Sequence, residues 1–178
     1  ITSRPAPHNV YTDFNRLDAL NTAKKYTKST FTSWERKDEV KQTPTASIID
    51  LNISGPTYSP RFTYDSSTNS YLRLQEGEPH LVLAKDLKTT KQLNPKTVIA
   101  IVTTYGLDKD GYHSSYRTTG TGNIFVFQDG IVSTGKWSRK DASSMYEFTD
   151  KNGFPMKLNR GQTWVTLVSS DSAVSYKP

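Results

Sequence analysis

The sequence predicts an α+β domain, with one N-terminal helix packed on a mostly antiparallel β-sheet or sandwich of about seven or eight strands. Three observations predict it. A segment near the N-terminus repeats its apolar residues at helical spacing. From residue 47 onward, short stretches of period-two or continuously apolar character alternate with turn dipeptides. Aromatic residues make up 11% of the 178 residues, and Thr and Ser are plentiful, a composition suited to pleated, half-buried surfaces.

The helix is expected over residues 12–26, TDFNRLDALNTAKKY, where Phe14, Leu17, Leu20 and Ala23 recur every third position. Thr12 or Asp13 can cap its first turn, and Lys24, Lys25 and Lys28 sit near its negative end. The preceding RPAPHN reads as extended. Residues 27–46 read as a polar connector with a short helical turn around Trp34. Strands follow: SIIDLNIS at 47–54, then RFTYD and SYLRLQ as a hairpin around the turn SSTN. TVIAIVTTY, a β-branched run between Pro95 and Gly106, predicts a central buried strand. NIFVFQ and IVSTGKW flank Asp129-Gly130, the strongest hairpin signal in the chain. MYEFT and PMKL flank the turn DKNG, and TWVTLVS closes the series. The expected division is 1–46, the tail of a preceding half with one helix and a connector, and 47–178, a β-rich C-terminal domain.

The length suits one domain, able to bury roughly 70% of its unfolded surface. With no cysteine there is no disulfide, thiolate metal site or thiol nucleophile. The net charge of +6 divides as about +2, +1 and +3 over residues 1–55, 56–110 and 111–178. Such even spreading lacks the concentrated basic face of a nucleic-acid binder and fits a mildly cationic surface. No stretch is long and apolar enough to span a bilayer. ITSRPAPHN has neither a charged n-region nor an apolar h-region, so any signal peptide or lipid anchor is expected outside these residues.

Gly120-Thr121-Gly122 has the look of a phosphate loop, but these glycines precede a strand and no helix follows. A bulge or close backbone packing is the favoured reading. Trp137, beside Lys136, Arg139 and Lys140, either stacks a base or sugar or packs into the core, and the core is favoured. The three histidines, His8, His80 and His113, form no metal-binding pattern, and no metal or cofactor is expected. His8 and His80 each follow a proline and offer an acid, base or anion donor, with Asp86 placed to orient His80. Arg61 and Arg73 lie on adjacent strands of one hairpin. They either clamp an anion or pair with Asp65, Glu76 or Glu78, the latter favoured. No serine elbow or paired-carboxylate pattern is present.

Taken in order, ProHisAsn, PheThrTyrAsp, TyrLeuArgLeu, the second ProHis, AsnProLysThrValIle, GlyThrGly, GlyLysTrp and GlyGlnThrTrpVal resemble the YerB-like family of bacterial lipoproteins, domain of unknown function 3048. The resemblance runs from about residue 4 to residue 169 and concerns the family's C-terminal portion. It implies a mixed α/β sandwich and an extracytoplasmic, lipid-anchored setting, and it carries over no catalytic residue. The matching positions are His8, Asn9, Tyr64, Tyr71, Arg73, His80, Gly120, Gly122, Trp137 and Trp164. One departure is LVLAK, which separates the second ProHis from Asp86. The expected function is a non-catalytic envelope binding or scaffold module, with His8, Asn9, Arg73, His80 and Trp137 as ligand-binding candidates. Its expected partner is a cell-wall or envelope polymer or another envelope protein, with membrane attachment only through a lipid anchor. The alternatives are an envelope hydrolase of a phosphoester or glycan using His80, Arg73 and His8, and single-stranded nucleic-acid binding through Trp137.

Overall fold

Asp13 begins the one α-helix among the described residues: its carboxylate accepts from the Arg16 backbone N–H at 2.9 Å, and α1 runs over Phe14–Ala23. The computed structural model describes residues 2, 5, 6, 9–28, 32–83 and 88–178. It divides into two compact units, Ile1–Ser33, which holds α1, and Trp34–Pro178.

The second unit begins with β1 (Arg36–Lys37), β2 (Ile48–Leu51), β3 (Pro60–Asp65), β4 (Ser70–Gln75), β5 (Glu78–Pro79), β6 (Leu81–Leu83), β7 (Thr90–Gln92) and β8 (Thr97–Val102). It continues with β9 (Tyr105–Leu107), β10 (Ser114–Tyr116), β11 (Gly120–Gln128), β12 (Ile131–Arg139), β13 (Glu147–Asp150), β14 (Leu158–Asn159), β15 (Thr163–Val168) and β16 (Val174–Lys177). One five-stranded sheet is ordered β16-β2-β3-β4-β5, and a second β13-β12-β11-β8-β15. Both are antiparallel except at β8–β15, which is parallel. The pairs β1–β14 (parallel), β6–β7 and β9–β10 form small sheets of two strands each.

The α+β expectation is therefore corrected. Sixteen strands in five sheets stand against one helix of ten residues among those described, and that helix buries none of them. The helical stripe failed because a repeat of three falls short of 3.6, so its apolar side chains rotate by about 60° per step and wind around the helix. The strand count failed because several strands are two or three residues long, too short to show a period. No helical turn forms at Trp34. PMKL gives only the bridge Thr149↔Pro155 with β13, while Leu158 turns away to pair with β1.

The long strands follow their sequence patterns. In β8 five of six residues are buried, because both faces of the second sheet are covered. On one face Val98, Ala100, Phe127 and Val168 meet Ile49, Leu51, Phe62 and Tyr71 of the first sheet. On the other, Ile99, Ile101, Ile124, Val126 and Trp137 pack beneath Trp34, Tyr146, Phe148 and Leu158. Gln128 faces Ile131 across a two-residue loop in which Asp129 (φ 58°) and Gly130 (φ 80°) both lie in the left-handed region, as a type I′ hairpin requires.

Gly122 is required by contact. It lies opposite Trp137, whose indole N–H donates to the Val102 carbonyl at 2.8 Å, and a Cβ on Gly122 would stand 2.5 Å from both that nitrogen and that oxygen. Gly122→Ala is accordingly expected to cost about 1–3 kcal/mol by overpacking. The measurement is the urea midpoint followed by tryptophan fluorescence, and an unchanged midpoint would contradict the packing.

Candidate functional site

Arg73 lies in the middle of β4, opposite Phe62, and points into the space between the two large sheets. Only 5% of it is exposed. Its guanidinium stands 4.4 Å from the Trp164 ring centre and 5.8 Å from that of Phe62. One terminal nitrogen bonds to His80 Nδ1 and the other donates to Gln75 Oε1 at 2.6 Å, while the buried Nε–H has no partner among the described residues. No carboxylate pairs with it among the described residues. Burial pushes the Arg73 pKa below its ordinary value.

His80 is brought to Arg73 by hairpin geometry. β4 turns through Glu76 (φ 53°) and Gly77 (φ 83°) into β5, and the His80 backbone N–H then donates to the Arg73 carbonyl at 3.0 Å. A guanidinium can only donate, so Nδ1 must accept, and the neutral ring carries its proton on Nε2. Burial first, and the Arg73 charge second, hold the His80 pKa below the usual histidine value. The ring is half-buried, 6.3 Å from Trp164, and leads directly into β6, whose Leu81, Val82 and Leu83 are all exposed. The cluster thus joins an incompletely satisfied cation, a half-buried imidazole and two aromatic faces.

The other candidates lie elsewhere. His8 and Asp86 are outside the described residues, and Asn9 is half-buried in the first unit. Trp137 takes the core side of its two readings: it is 0% exposed and packs edge-on to Tyr146, leaving no ring face for a base or sugar. Arg61 does not share a face with Arg73, because the register sets Arg61 opposite Leu74 and successive residues of a strand point to opposite sides. It pairs instead with Asp50 at 2.6 and 3.0 Å, not with Asp65, Glu76 or Glu78. Asp65 accepts from Ser67 and Thr68, which lowers its pKa to about 2.

A second polar cluster was not evident in the sequence. Asp129, 2% exposed, accepts from Lys37 Nζ at 2.5 Å, Asn69 Nδ2 at 2.9 Å, Asn159 Nδ2 at 2.7 Å and the Val40 N–H at 3.3 Å. Burial works to raise its pKa, but the bonds from Asn69, Lys37 and Asn159 outweigh it and hold the carboxylate below its ordinary value. Both Asp129 oxygens are engaged, unlike Arg73 Nε. A cleft of about 570 Å³ beside Asn123 and Lys136 is also internally paired: Lys136 donates to Asn123 at 2.6 Å, and Asn123 to Asp171 at 2.7 Å.

The depressed His80 pKa has a defined sign. The unfolded chain binds this proton more readily than the folded one. Stability from His80 is therefore complete above the free-imidazole value of about 6.5 and is lost as pH falls through it. Thermal midpoints measured from about pH 8 to about pH 5.5 are expected to fall, and to fall less in His80→Asn. Equal slopes in both proteins would remove His80 as the cause. Carboxylates such as Asp65, at about 2, add their own loss only at lower pH.

No curated protein matches the chain. Among solved structures, the fold is similar to the crystal structure of the YerB protein from Bacillus subtilis, with a TM-score of 0.74 and 21% identity. The match covers 99% of this chain and 58% of that one, so the chain spans little more than half of that protein's length. At that identity the likeness concerns the fold. Residues 49–165, from β2 into β15, match the model of a protein family, and the chain therefore belongs to the family described as protein of unknown function (DUF3048), C-terminal domain.

Proposed function

We propose that the chain is a non-catalytic binding module of an extracytoplasmic bacterial lipoprotein, and that its Arg73–His80 cluster receives an anionic group of a cell-envelope polymer. The observation that carries this reading is the Arg73 guanidinium: 5% exposed, with an orphaned Nε and no carboxylate partner among the described residues. A buried charge left in that state is costly, and an anion at this edge would complete it. His80 Nε2–H supplies a second donor at the half-exposed side, and Trp164 and Phe62 hold the guanidinium plane in place. The envelope setting rests on the likeness of the motif order to the YerB-like lipoproteins.

Binding is favoured over hydrolysis by the partner of His80. A carboxylate on Nδ1 would raise the basicity of the ring, whereas the Arg73 donor lowers it. The imidazole is thereby suited to donating a hydrogen bond and poorly suited to taking a proton from water.

Retention on purified cell wall bearing phosphodiester polymers is compared with retention on the same wall stripped of them. The wild type is expected to bind the former and to lose binding as salt rises. Arg73→Gln is expected to weaken it about tenfold or more, as the loss of charge-assisted bonds worth roughly 1.5–3 kcal/mol implies. Retention no greater than that of a neutral control domain, or unaffected by Arg73→Gln, would end the proposal.

A further inference from the structure

We propose that Lys37 and Asn159 become joined by a self-catalysed isopeptide bond, with Asp129 as the proton carrier. The two residues are direct partners in the parallel pair β1–β14, so their side chains leave the backbone side by side. Lys37 Nζ lies 2.6 Å from Asn159 Oδ1 and 2.5 Å from Asp129 Oδ2, and Asn159 Nδ2 lies 2.7 Å from Asp129 Oδ1. An amine, an amide carbonyl and a carboxylate thus close a ring of three contacts. Asn159 is 0% and Asp129 2% exposed, so water is kept from the carbonyl that the amine would attack. Well-oriented reacting groups reach effective concentrations on the order of 10⁵–10⁸ M, and this ring of contacts would supply such orientation.

The step balances without any added reagent. The Lys37 ammonium gives a proton to the Asp129 carboxylate, and the free amine adds to Cγ of Asn159. The Cγ–Nδ2 bond then breaks and Nδ2 departs as ammonia. Of the three ammonium protons, one stays on the new amide, one leaves with ammonia and one remains on Asp129. An ion pair whose carboxylate is almost wholly buried is replaced by a neutral amide hydrogen-bonded to a neutral acid, which removes the desolvation penalty of that charge. Asp129 itself is the poorer target, because an ionised carboxylate resists nucleophilic addition.

The fold gives the bond a role. β1 is held by a two-residue pairing, far below the length at which strands are stable by their backbone bonds alone. The chain has no cysteine with which to fasten it by a disulfide. A Lys37–Asn159 amide would tie the first strand of the second unit to its fourteenth.

The test is the intact mass of the purified chain under denaturing conditions, followed by peptide mapping. The expected result is a mass below that of the sequence by one ammonia, with a branched peptide joining the segments of Lys37 and Asn159 and no tryptic cleavage after Lys37. Lys37→Arg keeps the charge but cannot form the bond, so it should show the full mass and a lower melting temperature. An unmodified wild-type mass would overturn the proposal. So would an ammonia loss that maps to a succinimide at Asn152-Gly153, or a water loss that maps to Lys37 and Asp129.

Discussion

A single carboxylate sets the arrangement of one end of the β-rich unit. Asp129 occupies a left-handed turn position, φ 58°, that the two-residue hairpin cannot do without, and there it is almost wholly buried. A charge so placed must be satisfied or it destabilises the fold by several kcal/mol. Its partners come from four separate segments: Lys37 on β1, Val40 in the connector, Asn69 in the β3–β4 turn and Asn159 on β14. Asn69 extends the network to Tyr64 at 2.8 Å and Glu39 at 2.9 Å, and Glu39 to Lys96 at 2.9 Å. The tips of both large sheets are therefore registered against each other by hydrogen bonds that have direction, which apolar packing alone lacks.

The two buried charges among the described residues of this unit are handled in opposite ways. Asp129 is ringed by donors that match its lone pairs. Arg73 is held by ring faces and neutral acceptors, an environment that leaves one N–H unused among the described residues. The first arrangement resists change because every partner would be stranded by a shift of the others. The second can accept a further acceptor without breaking any bond it already has. A rigid cluster and an incompletely satisfied one thus coexist within one β-rich unit.

Much of the frame was legible in the sequence, and the reasons are local. The apolar run TVIAIV announced a strand covered on both faces, Asp129-Gly130 announced its hairpin, and SSTN announced the turn between β3 and β4. The Arg73–His80 contact spans seven positions and one tight turn, yet the sequence pointed Arg73 towards Asp65, Glu76 or Glu78 and offered Asp86 to His80, because a neutral ring beside a cation leaves no charge pattern to read. What else escaped was non-local. Nothing in the polar stretch 27–46 signals that Lys37 pairs beside Asn159, because a two-residue parallel pair leaves no period to detect. Trp164 reaches Arg73 from the other sheet, and Asp50 reaches Arg61 from a neighbouring strand, contacts that no spacing along the chain encodes. The helical stripe of Phe14, Leu17 and Leu20 misled for a geometric reason, its repeat being too short for one face.

The pairing of β16 with β2 sets Val174 against Leu51 and Lys177 against Ile48. A ribosome releases residue 48 long before residue 177, so β2 must wait with one edge open while nearly all of the domain is synthesised. The parallel pair β8–β15 imposes a similar delay on the second sheet. Contacts of such sequence separation fold slowly and leave sticky strand edges exposed in the interval. Closure of the first sheet at β2 is thus set by the arrival of β16, the strand farthest from it in sequence.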